Sequence, residues 1–344
     1  MKENNKKIVN RWESDAFENK EVAQKIFVDL KKKLRYSPHP ISGWKSDPNQ
    51  KYETLEINSH GLRNKDFKLL DQNNQNCMLL GGSVAWGFGA TSNQNIPSSQ
   101  IEKFLKEKHK IKLNVINFAE QMHSSHEELM TFIGYIDEIK PKYIICLTGT
   151  NDINRGNLNL FKYTDLNNTW LNHFNKAKSM KIINEKNILK YLLKNILRFN
   201  NDYQKVNENN FVFKKPSRDN TPIQLLRNKI EIINSICEKK NIFVMHILQP
   251  DLIFKKHKTD SELKYLNFLH KDRMEYAKKH IGILREYLNS LKINQKNNKI
   301  NYLDLNEVFD DVTETIYFDK AHLNDKGYEI LSKKIAYELQ RNFF

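Results

Sequence analysis

Five short apolar runs, spaced along the whole chain, constrain the fold more than any other feature. Each run is nearly continuous in hydrophobicity and rich in β-branched or bulky residues, which is typical of strands covered on both faces. The runs are CMLLGG (77–82), LNVINFA (113–119), YIICLTG (143–149), NIFVMHIL (241–248) and INYLDL (300–305). Such strands belong in parallel sheets, because helices there cover both faces.

Between the apolar runs the pattern changes to helical periodicity. The helical segments are 97–108, 124–139, 222–240, 260–292 and 325–341. The second begins with Ser124 and Glu127 at the spacing of a capping box. Strands that alternate with helices are joined by right-handed parallel crossovers. The sequence therefore predicts an α/β fold, a three-layer α/β/α sandwich around a five-stranded parallel sheet.

Two regions lie outside this alternation. Residues 1–70 carry one amphipathic helix, at 18–34, and a turn-rich segment, and we predict that they form an N-terminal extension packed on the core. Residues 71–344 form the predicted α/β domain. Within it, residues 153–221 are rich in Asn and Lys and are predicted to form a helical insertion after the third strand. The active sites of open parallel sheets lie at that edge, so the insertion is either a candidate lid or a surface elaboration.

The formal charge of the chain is +15, from 56 basic and 41 acidic residues among 344. Taken alone, such a charge suggests a nucleic acid or an anionic surface as partner. The lysines are, however, interspersed with asparagines along the whole chain, and no basic helix with interleaved aromatic residues appears. We therefore expect no nucleic-acid partner, and nucleic-acid binding stays an alternative based on charge alone.

The cysteines and the N-terminal segment indicate the cellular compartment. Cys77, Cys146 and Cys237 lie in or beside apolar segments, without metal-ligand spacing, and are expected to be buried free thiols in a reducing compartment. The N-terminal segment has no apolar signal-peptide core, and no run reaches the roughly 18 apolar residues of a membrane span. We predict a soluble cytoplasmic protein without a membrane span, a metal or a cofactor. The sequence carries no signal for its oligomeric state.

Polar side chains follow the predicted strands at their carboxyl ends. Ser83 follows the first run, Asn151 follows the third in GTND, and YFDKAHLNDKGY near the C-terminus contains Asp319 and His322. These ends meet at one edge of a parallel sheet. The set would supply a nucleophile, an amide donor, an acid and a base there. Each residue also has a plainer interpretation, since serine caps helices and asparagine is common in turns.

The blocks GGSVAWG, NFAEQMHSS, GTND and DKAH, in this order, resemble the four sequence blocks of the SGNH hydrolases, also called GDSL esterases. The segments LQPDLIFK and INSHGLRNKDF resemble accessory segments of bacterial members. The resemblance extends from about residue 38 to the end of the chain and is weakest in 153–221. It implies the flavodoxin-like SGNH hydrolase fold and a bacterial family member.

The resemblance also implies roles for the residues that match the blocks. Ser83 would be the nucleophile, His322 the base that takes its proton, and Asp319 the acid that orients the imidazole. The oxyanion hole would be formed by the backbone N–H of Ser83, the backbone N–H of Met122 and the side-chain amide of Asn151. Neither a metal nor a cofactor is implied.

Three further residues near the blocks, Gly82, Trp86 and Arg155, are predicted to contact substrate. Two positions depart from the family pattern. Gly82 stands where the first block usually has aspartate, and Met122 stands where the second block usually has glycine. If the Met122 position requires a positive φ, a methionine there is strained.

The resemblance implies a serine esterase that removes a short acyl group, such as acetyl, from an alcohol through an acyl-serine intermediate. Bacterial relatives with a similar preamble often act on acylated sugars, so the expected partner is a saccharide ester or another small-molecule ester. An O-acyltransferase with the same triad is one alternative. A non-catalytic binding module on the same fold is another, motivated by the departures at Gly82 and Met122.

Overall fold

The computed structural model describes residues 11–157, 221–295 and 297–344. At its centre is a five-stranded sheet in which every neighbouring pair is parallel. The strands are β1 (Gln75–Gly81), β2 (Leu113–Asn117), β3 (Tyr143–Thr148), β4 (Phe243–Leu248) and β5 (Ile300–Asp304). Their spatial order is β2-β1-β3-β4-β5, the flavodoxin-like arrangement. All five predicted strands and the predicted sheet are confirmed.

Helices cover both faces of the sheet, which confirms the predicted three-layer sandwich. They are α1 (Pro97–His109), α2 (Ser125–Ile139), α3 (Thr150–Asn157), α4 (Thr221–Lys240), α5 (Asp260–Phe268), α6 (Lys271–Ile293) and α7 (Asp325–Phe343). Helices α1 and α7 pack together on one face, and α2, α4 and α6 lie on the other. The capping box of α2 is present, because the Glu127 carboxylate accepts the Ser124 N–H at 2.9 Å.

The stretch predicted as one helical segment, 260–292, is instead two helices. Leu269 and His270 between them have extended backbone conformations, with ψ of 146° and 133°. Extended residues cannot continue the i to i−4 hydrogen bonds of a helix, so the chain turns between α5 and α6. Leu269 faces the cavity described below.

The segment before the sheet packs on the same core. It contains a helix, Lys20–Val28, a π-helical turn, Asp29–Lys33, and two small antiparallel strand pairs. Its buried apolar residues belong to one cluster with the sheet; they include Ala23, Ile26, Leu30, Leu55 and Ile57. The buried Asp29 carboxylate accepts the Thr54 N–H and hydroxyl at 2.8 and 2.9 Å, which joins the π-helical turn to the loop between the last two strands of the segment.

Of the predicted insertion, residues 158–220 lie outside the described residues, and 153–157 continue helix α3. Residues 1–10 of the predicted extension also lie outside them. None of the described helices is both long enough and apolar enough to cross a bilayer. Cys77, Cys146 and Cys237 are buried free thiols, as predicted.

Candidate active site

Ser83 lies at the carboxyl edge of the sheet, directly after β1. It is the first residue of a short helix, Ser83–Trp86, for which Gly82 is the N-cap. The N–H of a first helical residue has no acceptor within the helix, so it is available to a ligand. The Ser83 Oγ lies 2.7 Å from Nε2 of His322.

His322 and Asp319 lie in the loop between β5 and α7. The His322 Nδ1 is 2.7 and 2.9 Å from the two carboxylate oxygens of Asp319. One of these oxygens also accepts the N–H groups of Ala321 and His322, at 3.0 and 2.9 Å. A carboxylate held in this way accepts the Nδ1 proton, which leaves Nε2 of His322 as the acceptor for the Ser83 hydroxyl. The Phe88 ring lies 4.5 Å from the imidazole, centroid to centroid, and covers it.

Asn151 is brought to the same edge by the start of helix α3. Its Nδ2 donates to the backbone carbonyl of His123 at 2.7 Å, which leaves a second amide hydrogen free to donate. A Cβ atom at Gly82 would collide with this Nδ2 and would lie 3.0 Å from the His123 carbonyl oxygen. In this conformation of the loop, the missing Cβ of Gly82 leaves the space that the Asn151 amide occupies.

Met122 lies in the loop after β2 with a φ of 63°. The positive φ anticipated from the family pattern is present, and the left-handed region costs a non-glycine residue roughly 1–2 kcal/mol. The Met122 side chain is 45% exposed and lines the cavity beside Ser83. Within the described residues, neither the Met122 N–H nor the Ser83 N–H donates a hydrogen bond.

These groups open into a cavity of about 450 Å³. Ser83, Met122, Asn151 and His322 lie on its lining. Part of the wall is apolar; it is formed by Phe88, Leu269 and Met274. A cleft of this size that combines an apolar wall with convergent polar groups suits a small organic ligand.

Of the three residues predicted to contact substrate, only Arg155 lines the cavity. Gly82 does not line the cavity and instead makes room for the Asn151 amide. Trp86 is 0% exposed and lies under the Arg63 guanidinium, 4.6 Å from the ring centroid. Trp86 thus has no surface to offer a substrate.

Arg155 does line the cavity, but its guanidinium is bound to the protein. Its Nη1 donates to the Glu127 carboxylate at 2.9 Å and to the Ser124 hydroxyl at 2.7 Å. Its Nη2 donates to the Met122 carbonyl at 2.9 Å. Arg155 therefore contacts the loop that carries Met122, and the side chain is only 9% exposed.

Sequence reasoning missed Arg63, which supports the loop after Ser83. Its side chain is fully buried and donates to the carbonyls of Gly87, Ala90 and Thr54 at 2.6, 3.2 and 3.0 Å. Burial lowers the pKa of Arg63 to about 10. The only signal for this residue is its place in the accessory segment INSHGLRNKDF, and its spacing there does not distinguish it from a surface arginine.

Two more residues outside the blocks hold the loop after β2. The Trp44 Nε1 donates to the Gln121 carbonyl at 3.0 Å. The buried Glu120 carboxylate accepts the N–H and hydroxyl of Ser46 at 2.8 and 2.7 Å and the Gln121 N–H at 2.8 Å. Burial raises the pKa of Glu120 to about 7, although these hydrogen bonds act in the opposite direction. The segment before the sheet thus contacts the loop that carries Met122.

A buried polar network lies behind Asn151. Asp152 accepts the backbone N–H of Ser125 at 3.2 Å, and burial, with Glu128 nearby, raises the pKa of Asp152 to about 6. The Lys229 ammonium donates to Glu128 at 2.8 Å and to the Thr148 hydroxyl at 2.8 Å. These contacts join α2, β3, α3 and α4 beneath the site.

A family model described as GDSL-like lipase/acylhydrolase matches residues 77–335. The chain belongs to this family. The match covers the Ser83, Asn151 and His322 segments, and membership places this GDSL-family protein among ester-bond hydrolases. No curated protein shows significant similarity to it.

Solved structures with a similar fold include three esterases or lipases. A GDSL-like lipase from Bacteroides thetaiotaomicron has 11% identity and a TM-score of 0.39, over 79% of this chain and 91% of that one. The acetyl xylan esterase AlAXEase has 12% identity and a TM-score of 0.40, over 77% and 99%. A mutant of a Geobacillus acetyl-xylooligosaccharide esterase has 12% identity and a TM-score of 0.38, over 78% and 94%. At such values the likeness carries no conclusion about the substrate of the GDSL-family protein.

Proposed function

We propose that this GDSL-family protein is a serine esterase that hydrolyses a short-chain carboxylic ester, such as an O-acetyl ester, through an acyl-serine intermediate. The observation that carries the proposal is the continuous hydrogen-bond chain from the Ser83 Oγ through His322 to Asp319. A serine hydroxyl is too weakly acidic to attack an ester unaided, and an adjacent oriented imidazole removes that obstacle.

In the first half-reaction, the Ser83 Oγ attacks the ester carbonyl while its proton moves to Nε2 of His322. The Asp319 carboxylate stabilises the imidazolium that forms. The tetrahedral intermediate then collapses, the C–O bond of the ester breaks, and the leaving alcohol takes the proton from His322. In the second half-reaction, His322 takes a proton from water, whose oxygen attacks the acyl-serine. The bond from the acyl carbon to Oγ then breaks, His322 returns the proton to the Ser83 Oγ, and the carboxylic acid is released.

The negative charge of the tetrahedral intermediate needs donors on its oxygen. The proposed donors are the N–H of Ser83, the N–H of Met122 and the side-chain amide of Asn151, three residues that line the cavity. Removing one such donor typically costs about 3–4 kcal/mol of transition-state stabilisation. The proposed saccharide nature of the alcohol is based on the resemblance of the sequence blocks and their preamble to those of bacterial family members.

The first experiment combines a fluorophosphonate label with hydrolysis of p-nitrophenyl acetate. The wild-type protein should be labelled and should release p-nitrophenol and acetate, and Ser83→Ala should do neither. A folded wild-type protein that is not labelled would contradict the proposal and favour a non-catalytic binding module.

The second experiment separates hydrolysis from transfer. Acetate release and acetyl transfer are measured with the same donor, with and without a saccharide acceptor. Esterase activity predicts acetate release in the absence of acceptor. Transfer to the saccharide without appreciable acetate release would instead identify an O-acyltransferase that uses the same triad.

A further inference from the structure

Three consecutive backbone carbonyls in the loop after β2 each accept a hydrogen bond from a side chain of another segment. The pairs are Gln121 O with Trp44 Nε1 at 3.0 Å, Met122 O with Arg155 Nη2 at 2.9 Å, and His123 O with Asn151 Nδ2 at 2.7 Å. Asn151 already belongs to the proposed oxyanion hole. The other two donors, Trp44 and Arg155, lie outside the triad and the proposed oxyanion hole, and we call these two the carbonyl clamp.

The geometry of a peptide unit links the clamp to the proposed oxyanion donor. The carbonyl of Gln121 and the N–H of Met122 belong to one planar trans peptide, so they point in opposite directions. When Trp44 holds the Gln121 carbonyl, it also sets the direction of the Met122 N–H. Arg155 holds the carbonyl of the next peptide plane in the same way.

Two adjacent peptide planes define the φ and ψ of the residue between them. The planes held by Trp44 and Arg155 are those on either side of Met122, whose φ is 63°. A methionine does not occupy the left-handed region by preference, whereas a glycine enters it readily. The clamp therefore takes over, at this position, the conformational role that the glycine of the family pattern would have.

We propose that Trp44 and Arg155 are positioning residues that hold Met122 in the left-handed conformation and thereby aim its N–H at the oxyanion. This inference rests on the proposed function for its catalytic part. Trp44 and Arg155 each donate a hydrogen bond to a backbone carbonyl of the loop and act through that backbone. The segment before the sheet, which carries Trp44, is thus part of the active-site architecture.

Both clamp residues are buried, and each has a mild replacement. Trp44→Phe removes the indole N–H and keeps an aromatic ring beside His123, whose ring centroid lies 5.2 Å from that of Trp44. Arg155→Lys keeps a positive charge beside Glu127. Its single ammonium replaces a guanidinium whose two Nη atoms donate to Glu127 and to the Met122 carbonyl. Tyr52→Phe is the matched control, because it removes a hydrogen bond from the same segment to a distant carbonyl, that of Lys33.

The conformational arm of the test does not depend on activity. Crystal structures of Trp44→Phe and Arg155→Lys should show residue 122 with a negative φ or with two alternative loop conformations. Structures of Tyr52→Phe, and of Trp44→Phe combined with Met122→Gly, should keep the positive φ. If Met122 keeps its φ and a single loop conformation in both clamp variants, the proposal is overturned.

The catalytic arm is a double-mutant cycle on kcat and KM. In the Met122 background, Trp44→Phe should lower kcat about 10-fold, part of the effect of losing a whole oxyanion donor, with little change in KM. In the Met122→Gly background, the same substitution should lower kcat less, because glycine needs no clamp to stay left-handed. A merely structural role of Trp44 predicts equal losses in both backgrounds, and this result would overturn the proposal.

The two arms keep this proposal separate from the proposed function. If the wild-type protein shows no turnover that depends on Ser83, the esterase function is contradicted. The proposed role of the Met122 N–H as an oxyanion donor is then contradicted as well. The crystal structures then still decide whether Trp44 and Arg155 hold Met122. If turnover depends on Ser83 but the cycle is additive, only the positioning role is overturned.

Discussion

The Ser83 Oγ and the His322 Nε2 lie 2.7 Å apart, although 239 positions separate the two residues along the chain. The contact forms because β1 ends at Gly81 and the loop before α7 returns to the same edge of the sheet. Phe88 lies against the imidazole from the loop after Ser83, so the nucleophile and the base are supported by one short stretch of chain.

This contact predicts strongly non-additive kinetics. Ser83→Ala and His322→Ala should each lower kcat for p-nitrophenyl acetate by on the order of 10⁴-fold or more, because each removes the same proton transfer. The double variant should lose little beyond either single variant. Ser235→Ala, a serine on the exposed side of α4, is the control and should leave kcat unchanged. Losses that multiply would show that the two residues do not act as a unit.

Gly82→Ala should lower kcat about 100-fold, because a Cβ at this position displaces the Asn151 amide. The expected loss is close to that for removing one oxyanion donor. Steady-state kinetics of the pure variant measure the loss. Gly282→Ala is a matched control: it is a helical glycine whose added Cβ meets nothing within 4 Å. The control should be more stable by about 1 kcal/mol, with unchanged kcat. Equal kcat in both variants would contradict the role assigned to Gly82.

The buried ion pair of Lys229 and Glu128 predicts an asymmetric effect on stability. Both side chains are 1% exposed, so Lys229→Met leaves an uncompensated carboxylate and should lower the free energy of unfolding by about 3–5 kcal/mol. The double variant Lys229→Met/Glu128→Gln should be more stable than Lys229→Met alone, because the unpaired charge of Glu128 is removed together with its partner. Urea unfolding measures both values. A double variant less stable than the single one would mean that the carboxylate finds another partner.

The buried His123 predicts loss of stability at acid pH. Burial lowers the pKa of His123 from 6.5 to about 4. As the pH falls below 6.5, the unfolded chain binds a proton that the folded protein binds only near pH 4, so the free energy of unfolding falls across this window. For one such histidine the loss between pH 7 and pH 5 is about 2 kcal/mol.

The variant His123→Phe keeps a ring against Trp44 and removes the titrating group. Its free energy of unfolding should therefore fall by about 2 kcal/mol less between pH 7 and pH 5 than that of the wild type. Urea unfolding at the two pH values checks this. The same pH dependence in both proteins would mean that His123 is protonated in the folded state well above pH 4.

Sequence alone determined the five strands, their alternation with helices and the residues at the strand ends. Hydrophobic periodicity is a local property, and strands buried on both faces show it within each run of residues. For the same reason the four blocks were recognisable, since Ser83, Asn151, Asp319 and His322 each lie in a short stretch of distinctive residues. The break between α5 and α6 was missed because Leu269 and His270 do not interrupt the amphipathic pattern.

Only the tertiary structure decided which side chains support the site. Trp86 and Arg155 lie next to the blocks, yet Trp86 is buried under Arg63 and Arg155 binds the Met122 carbonyl. Trp44 reaches the loop after β2 from 77 positions away. Such pairings depend on distances between segments that are remote in sequence, and no local pattern of residues encodes them. The packing of those segments brings the donors to the carbonyls. It also buries His123, and this burial lowers the pKa of the imidazole.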